Sequence, residues 1–390
     1  MKATDKDVTH SEMLRNETMS KITGLYDKIC DFDNLYQSYL NARKCKKYKK
    51  GVLEFSANLE ERLIEMQNEL VNGTYDIKKY NEFYVYDPKK RLIMALEFYD
   101  RVVQWAIYRQ LSPILDSRYI YDSYGCRIGK GTHKAADRLQ YWLRQVSRRD
   151  KQYYALKMDI SKYFYRVDHS VLMRILESKI KDERLLELLR KIVNSRNTKF
   201  GLPFGVEADQ IPPEDRLFDV GMPIGNLTSQ MFANLYLNEL DQFVKHKLKI
   251  HYYIRYVDDF IILGDDKEEL WKVKQEIDSF LKNELHLNLN NKTALRPIEQ
   301  GVEFVGFRIW TTHRKLKKKT LLKVKRRVKT VTLDFVNGLI SKATLDASLQ
   351  SYKGILKHFN SYGFRQKLNA IYLEVIRGGA KNNAKGATTQ

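Results

Sequence analysis

Residues 251–263 read His251-Tyr-Tyr-Ile-Arg-Tyr-Val-Asp-Asp-Phe-Ile-Ile-Leu263, with two adjacent acids, Asp258 and Asp259, between two apolar runs. Tyr252 to Tyr256 and Phe260 to Leu263 are rich in aromatic and β-branched residues, so both read as strands. The acid pair then occupies the tight turn of a hairpin, where Asp is favoured. Neighbouring carboxylates repel, and each prefers to be neutral unless a cation is at hand. Mg²⁺ suits them, because it takes hard oxygen ligands and leaves positions for phosphate. A solvated turn accounts for the same dipeptide. What favours the metal reading is the apolar flank on each side and a third acid elsewhere.

That acid is Asp159, in Tyr153-Tyr-Ala-Leu-Lys-Met-Asp-Ile-Ser-Lys-Tyr-Phe-Tyr165. Tyr154 to Met158 has a strand pattern that delivers Asp159 at its end. Two such strands side by side in one sheet would bring Asp159 and Asp258 to the same edge. Two Mg²⁺ ions roughly 3.5–4 Å apart, bridged by these acids, would activate a 3′-hydroxyl and stabilise a leaving pyrophosphate. Phosphoryl transfer asks little more of a protein than in-line positioning and cancellation of developing charge.

Composition narrows the partners. The chain has 390 residues, 43% of them hydrophobic, enough for two or three subdomains with a sizeable core. A net charge of +21 favours a polyanion, nucleic acid before an anionic membrane surface. The 25 tyrosines favour nucleic acid, although most must be ordinary core residues. No apolar run reaches the roughly 18 residues of a membrane span, and the start, Met1-Lys-Ala-Thr-Asp-Lys6, is no signal peptide. Cys30, Cys45 and Cys126 form no Cys-x-x-Cys pair, so neither zinc nor a disulfide framework is expected and a reducing cytoplasm is the simplest home.

Along the chain, residues 1–79 read as an N-terminal helical extension with a frayed start. Helical spacing covers Ile22–Leu40 and Phe55–Leu70, and Asn72-Gly73 ends the second. The basic run Arg43–Lys50 between them fits a phosphate contact or a solvated loop. Tyr80–Leu96 reads as a hairpin with a cationic tip, Asp87-Pro-Lys-Lys-Arg91. A helix follows from Glu97 to Leu111, stopped by Pro113. Ser123–Thr132 is a basic, glycine-punctuated loop without P-loop spacing. Leu172–Val193 reads as one apolar helix, 197–219 as a loop or short hairpin, and Gly221–Gln230 as a loop opening a helix at Met231. Between Phe304 and Leu333 there is no acid, yet Arg314, Lys315, Lys317, Lys318, Lys319, Lys323, Lys325, Arg326 and Arg327 all fall there. Solvated helices mix signs, so this stretch reads as phosphate-binding. The tail, 378–390, reads as low-complexity and disordered.

Taken in order, these stretches resemble the reverse transcriptases. Leu156-Lys-Met-Asp159-Ile-Ser-Lys-Tyr-Phe164 is similar to that family's first catalytic motif. Tyr256-Val-Asp258-Asp259 resembles its YxDD box, and Phe304-Val-Gly-Phe307 its primer-grip hairpin. Arg91, the Asp100-Arg-Val-Val-Gln104 helix and Lys292 fall where bacterial, group II intron-like members have matching residues. The likeness runs from about residue 80 to 330; each motif alone is weak, and their order is specific. It implies an α+β right-hand polymerase fold, with fingers and palm over 80–310 and a basic helical thumb over 311–377. It also implies roles. Asp159 and Asp258 would bind two Mg²⁺ ions (Mn²⁺ as a substitute), Asp259 would assist, and the Ile160 carbonyl would be a further ligand. Phe164 would exclude a 2′-OH, or simply pack in the core. Arg91, with Lys89 or Lys90, would grip the triphosphate. Lys292 would protonate pyrophosphate, or remain a solvated loop lysine.

The loop Ile224-Gly225-Asn-Leu-Thr-Ser229-Gln230 departs from the Gln-Gly…Ser-Pro of most relatives. That form resembles the enzymes of diversity-generating retroelements, which copy a template-repeat RNA with errors at adenines. The resemblance implies dNTP substrates, template RNA and cDNA/RNA duplex as partners, and a small basic pentameric accessory protein. It implies a bacterial or phage-encoded protein of the cytoplasm with no membrane partner. The compact length agrees, leaving no room for the DNA-binding and endonuclease domains of many intron enzymes. The alternatives are an ordinary-fidelity enzyme of a retron, abortive-infection or intron lineage, and a catalytically silent nucleic-acid-binding protein on the same fold.

Overall fold

The alternating run after Tyr80 folds as a hairpin: β1 (Asn81–Val85) pairs antiparallel with β2 (Arg91–Ala95), Val85 opposite Arg91. In this computed structural model the described residues are 21–86, 90–195, 198–203 and 205–387, with side chains to 378. Residues 1–20, the tip residues Asp87, Pro88 and Lys89, the start of the expected loop at Asn197, and 388–390 of the expected tail lie outside them. The chain divides into two units, 1–129 with 157–262 and 267–294, and 130–156 with 263–266 and 295–390.

In the first unit, helices Tyr26–Cys30, Phe32–Arg43 and Lys50–Ala57 pack on Phe98–Asp116, and Leu59–Val71 packs on those three. Where the spacing predicts one helix over 22–40, the chain breaks at Asp31, whose side chain accepts from the Asn34 N–H at 3.1 Å and caps the next helix. The expected helix 172–193 likewise becomes His169–Lys179 and Glu183–Asn194, the second capped by Asp182. Pro113 does not stop its helix, which runs on to Asp116. Leu111 and Leu115 are both fully buried, and their packing outweighs the hydrogen bond that proline removes. The helix expected from Met231 starts earlier, at Leu227, and runs to Gln242.

The central sheet has β5 (Asp259–Gly264) between β4 (Tyr253–Tyr256) and β3 (Tyr154–Asp159). Met158, Tyr253, Ile254, Phe260, Ile261 and Ile262 are fully buried, so successive residues are covered on opposite faces. The helix Lys267–Glu284 has a buried stripe of Leu270, Val273, Ile277 and Leu281 at helical spacing.

The second unit holds helix Thr132–Val146, strand β6 (Ala294–Pro297), and a three-stranded sheet of β7 (Val302–Phe304), β8 (Phe307–Ile309) and β9 (Arg314–Leu316). Its helices Lys318–Val336, Lys342–Leu356 and Tyr362–Ala387 bury Val324, Val328, Leu345, Leu356 and Leu368. The last helix passes through Gly378-Gly379, where the sequence pattern predicts the start of a disordered tail; Ala and Lys, strong helix formers, follow the glycines. Among the described residues no helix is long and apolar enough to cross a membrane.

Candidate active site

The β4–β5 register pairs Tyr256 with Asp259, leaving Val257 and Asp258 as a two-residue loop. Such loops need positive φ at their first position, and Val257 adopts φ +55° there despite its branched side chain. Gly125 makes room for it: a Cβ at Gly125 would lie 2.4 Å from Val257 Cγ2. The turn carries Asp258 to the end of β3. The Ile160 N–H donates to the Asp258 carbonyl at 3.2 Å, so the ends bearing Asp159 and Asp258 meet as the sequence predicts.

Both carboxylates are half-buried. Burial, and then the neighbouring Asp159 charge, push the Asp258 carboxyl up from 3.8 to about 6, with Asp259 adding to the rise and Arg91 opposing it. Asp159 is held by Asn290, which donates its N–H to the Asp159 carbonyl at 2.7 Å and its amide to Oδ2 at 3.2 Å. The Lys292 N–H returns to Asn290 Oδ1 at 3.2 Å, which brings Lys292 to the same turn with its side chain exposed. Asp259, expected as an assisting ligand, is engaged by a cation of the chain itself. Its Oδ2 accepts from Lys157 Nζ at 2.6 Å, because Lys157 on β3 and Asp259 on β5 meet across neighbouring strands. Among the described residues no three His, Cys, Asp or Glu side chains converge on one point. The residues fit a hard cation that two carboxylates hold in part and that oxygen donors from solvent or substrate complete, not a closed protein cage.

Around this edge the other expected residues fall into two groups. Phe164 is half-buried, edge-on to Tyr163 at 5.5 Å, and its carbonyl accepts from the Met222 N–H at 2.6 Å. The Ile224 carbonyl accepts from the Met94 N–H at 3.1 Å, tying the loop to β2. Gly225 sits at φ +123°, and a Cβ there would crowd Ile93 Cγ2 at 3.3 Å. The loop is thus fixed to Phe164 at one end and to β2 at the other. Gln230 is exposed, and with Gly225, Lys46, Arg101 and Trp105 it lines a cavity of about 340 Å³. Arg91 is exposed at the start of β2.

The basic stretch is less uniform than its sequence. Lys315, Lys318, Lys319, Lys323, Arg326 and Arg327 are exposed and Lys325 is partly so. Arg314 is committed to structure, paired with Asp137 at 2.6 Å and donating to the His358 carbonyl. Lys317 stands 3.3 Å from Glu303.

Sequence reasoning missed Lys157 and Asn290, and also the fully buried ion pair of Arg255, two residues before the turn, with Asp241. The usable signal was a lone cation inside an apolar strand, Lys157 in β3 and Arg255 in β4; neither would stay there without a partner.

The reverse transcriptase (RNA-dependent DNA polymerase) family matches residues 77–309, and the chain belongs to it. Its fold is the α+β right-hand polymerase fold. The chain is similar to protein YkfC of Escherichia coli K12, 26% identical over 290 residues, covering 65% of this chain and 72% of that one. It is also similar to the group II intron-encoded protein LtrA of Lactococcus lactis subsp. cremoris, 23% identical over 360 residues. That match covers 74% of this chain, which spans only 56% of LtrA. A solved Candida albicans telomerase, in complex with a fragment of telomeric RNA, aligns with a TM-score of 0.45 at 14% identity, over 78% of this chain and 55% of that one.

Proposed function

We propose that the chain is an RNA-directed DNA polymerase whose chemistry takes place at Asp159 and Asp258. The observation that carries this is the meeting of these carboxylates at one sheet edge, where burial and then the Asp159 charge raise the Asp258 carboxyl to about 6. Asp159 and Asp258, with the Ile160 carbonyl, would hold two Mg²⁺ ions (or Mn²⁺), whose chemistry is to lower the charge on attacking and leaving oxygens. Arg91 draws the triphosphate of the incoming dNTP toward that edge. Phe164 lies under the sugar and leaves no space for a 2′-OH. Lys292, on the turn that holds Asp159, is placed to give a proton to pyrophosphate. Asp259 anchors Lys157, so the pair trims local charge while Asp259 contributes to the cation field at longer range. The exposed basic residues from Lys315 to Arg327 bind the template RNA and the cDNA/RNA duplex through their phosphates.

The finer reading is a mutagenic enzyme of a diversity-generating retroelement, copying template-repeat RNA with errors at adenines beside a small basic pentameric partner. The loop Ile224-Gly225…Gln230 supports it. Ile224 offers no polar side chain to a pair whose geometry must be checked. An ordinary-fidelity reverse transcriptase is the competing reading, since the motifs other than this loop suit both.

The test is primer extension on an RNA template with Mg²⁺ and dNTPs, followed by sequencing of the cDNA. Asp159→Asn and Asp258→Asn should abolish extension and leave RNA binding intact, because each removes a negative charge near a polyanion. Extension at wild-type rate in either variant rejects the polymerase site. An error spectrum without excess at template adenines rejects the mutagenic reading alone.

A further inference from the structure

Beneath the catalytic turn lies a charged network that the polymerase chemistry does not itself use. Arg255 and Asp241 are both fully buried. Arg255 Nε donates to Asp241 Oδ1 at 2.7 Å, and Nη2 donates to Oδ2. The Tyr253 hydroxyl donates to the same Oδ1 at 2.7 Å. The remaining guanidinium nitrogen, Nη1, reaches out of the pair and donates to the Val257 carbonyl at 2.9 Å. Asn234, seven residues before Asp241 and so on the same helix face, donates to the Gly125 carbonyl at 2.7 Å. Gly125 is the residue pressed against Val257. The main chain of Arg255 is fixed too: its N–H donates to the Asp122 carbonyl at 3.0 Å, and its carbonyl accepts from the Tyr124 N–H at 2.9 Å.

We propose that Arg255, oriented by Asp241, is a positioning residue that holds the Val257–Asp258 turn in the shape that binds the catalytic cation. Stability alone does not explain the pair, since apolar residues of similar volume commonly replace a buried ion pair without loss. An apolar residue cannot donate to the Val257 carbonyl. Val257 needs that hold more than glycine would, because a β-branched residue resists positive φ. The bidentate grip of Asp241 takes one edge of the guanidinium and leaves Nη1 aimed at the turn, a division of donors that a lysine cannot copy. Asp258 follows Val257 directly, so rotation of the Val257 peptide would swing its carboxylate away from Asp159. The proposal rests on the reading of Asp258 as a cation ligand.

The test replaces the whole network with apolar residues, Tyr253→Phe, Asp241→Leu and Arg255→Met, so that no buried charge or hydroxyl is stranded. Mn²⁺ binding is followed by electron paramagnetic resonance, and primer extension is measured against Mg²⁺ and dNTP concentration. The expected result is a melting temperature near wild type, at least a tenfold weaker Mn²⁺ affinity, a matching rise in half-saturating Mg²⁺, and an unchanged dNTP KM at saturating Mg²⁺. Arg255→Lys, which keeps the charge and loses the fork, should fall between the two, and it carries the test if the triple variant does not fold. Wild-type Mn²⁺ affinity in a folded triple variant, or in Arg255→Lys, overturns the proposal. Asp258→Asn, measured beside them, separates the two claims. If it binds Mn²⁺ and extends like wild type, the site reading has failed; if it loses both while the network variants do not, only the positioning role has failed.

Discussion

Lys157 and Asp259 face each other from neighbouring strands with Nζ 2.6 Å from Oδ2, both side chains about a quarter exposed (27% and 25%). A pair this exposed contributes at most about 1 kcal/mol to stability. Its consequence is electrostatic: a cation stands beside the acids that must attract one. Lys157→Met should therefore leave the melting temperature within a few degrees and lower half-saturating Mg²⁺ several-fold, as a repelling charge is gone. A rise in half-saturating Mg²⁺ would mean that Lys157 orders the site instead of tempering it.

The raised Asp258 carboxyl predicts a pH dependence with a definite sign. Metal binds the carboxylate, and this group holds its proton up to about pH 6 because of burial and the Asp159 charge. Half-saturating Mg²⁺ should be flat above about pH 7 and climb toward tenfold per unit below about 6, as one proton competes. In the metal-free protein the folded state keeps this proton longer than the unfolded chain does. Stability from this group is therefore highest below 3.8 and declines as pH rises to about 6. Asp258→Asn should remove that component from thermal melts across the same window.

Phe164 is tied to Met222 through its carbonyl, so a side-chain substitution leaves the tether intact. Phe164→Ala or Phe164→Val should raise ribonucleotide incorporation much more than it changes dNTP use, as read by competing the two nucleotides in one extension. An equal fall in both would make Phe164 a packing residue.

The same strand patterns that make the two carboxylates readable hide their support. An apolar run ending in an acid says where Asp159 and Asp258 go, because strand direction and sheet pairing follow from side-chain alternation. Lys157 and Arg255 are visible as misfits in such runs, yet nothing in the spacing names Asp259 or Asp241 as their partners. Those pairings depend on which strand lies next to which helix. Asn290 falls outside any motif, and its hold on Asp159 runs largely through the main chain, which sequence pattern does not encode. Pro113 shows the converse error: a correct local rule gave way to the burial of Leu111 and Leu115 on either side.

The basic stretch should divide by environment. Lys318, Lys319 and Arg326 are exposed on one helix, and changing all three to Gln should flatten the salt dependence of duplex binding by about 0.7–0.9 in log–log slope for each phosphate that is no longer neutralised. Arg314→Gln should cost stability more than affinity, because Arg314 is occupied by Asp137 and the His358 carbonyl. Affinity measured across a salt series and a thermal melt of each variant check both halves. An unchanged slope in the triple variant would make these residues a solvated face.

Ile224 is the residue on which the fidelity reading depends. Its carbonyl is the acceptor that ties the loop to β2, so Ile224→Gln leaves that hydrogen bond in place. Its side chain is half-buried, so a longer polar side chain can reach water if it finds no other partner, and the penalty of a stranded buried amide is reduced. The loop is also held at the Phe164 end by the Met222 N–H. A Gln here would thus present its donor and acceptor from a fixed backbone to groups that align only in a correct pair. A discrimination gain of ~1.4 kcal/mol corresponds to tenfold in error rate. Misincorporation opposite template adenines should accordingly fall several-fold, with total synthesis changed much less. Sequenced cDNA from the variant and the wild type, with melting temperatures alongside, reads the result. A stable, active Ile224→Gln enzyme with unchanged adenine errors would remove this side chain from any account of mutagenesis and shift attention to Arg91, which opposes the Asp258 proton from the start of β2.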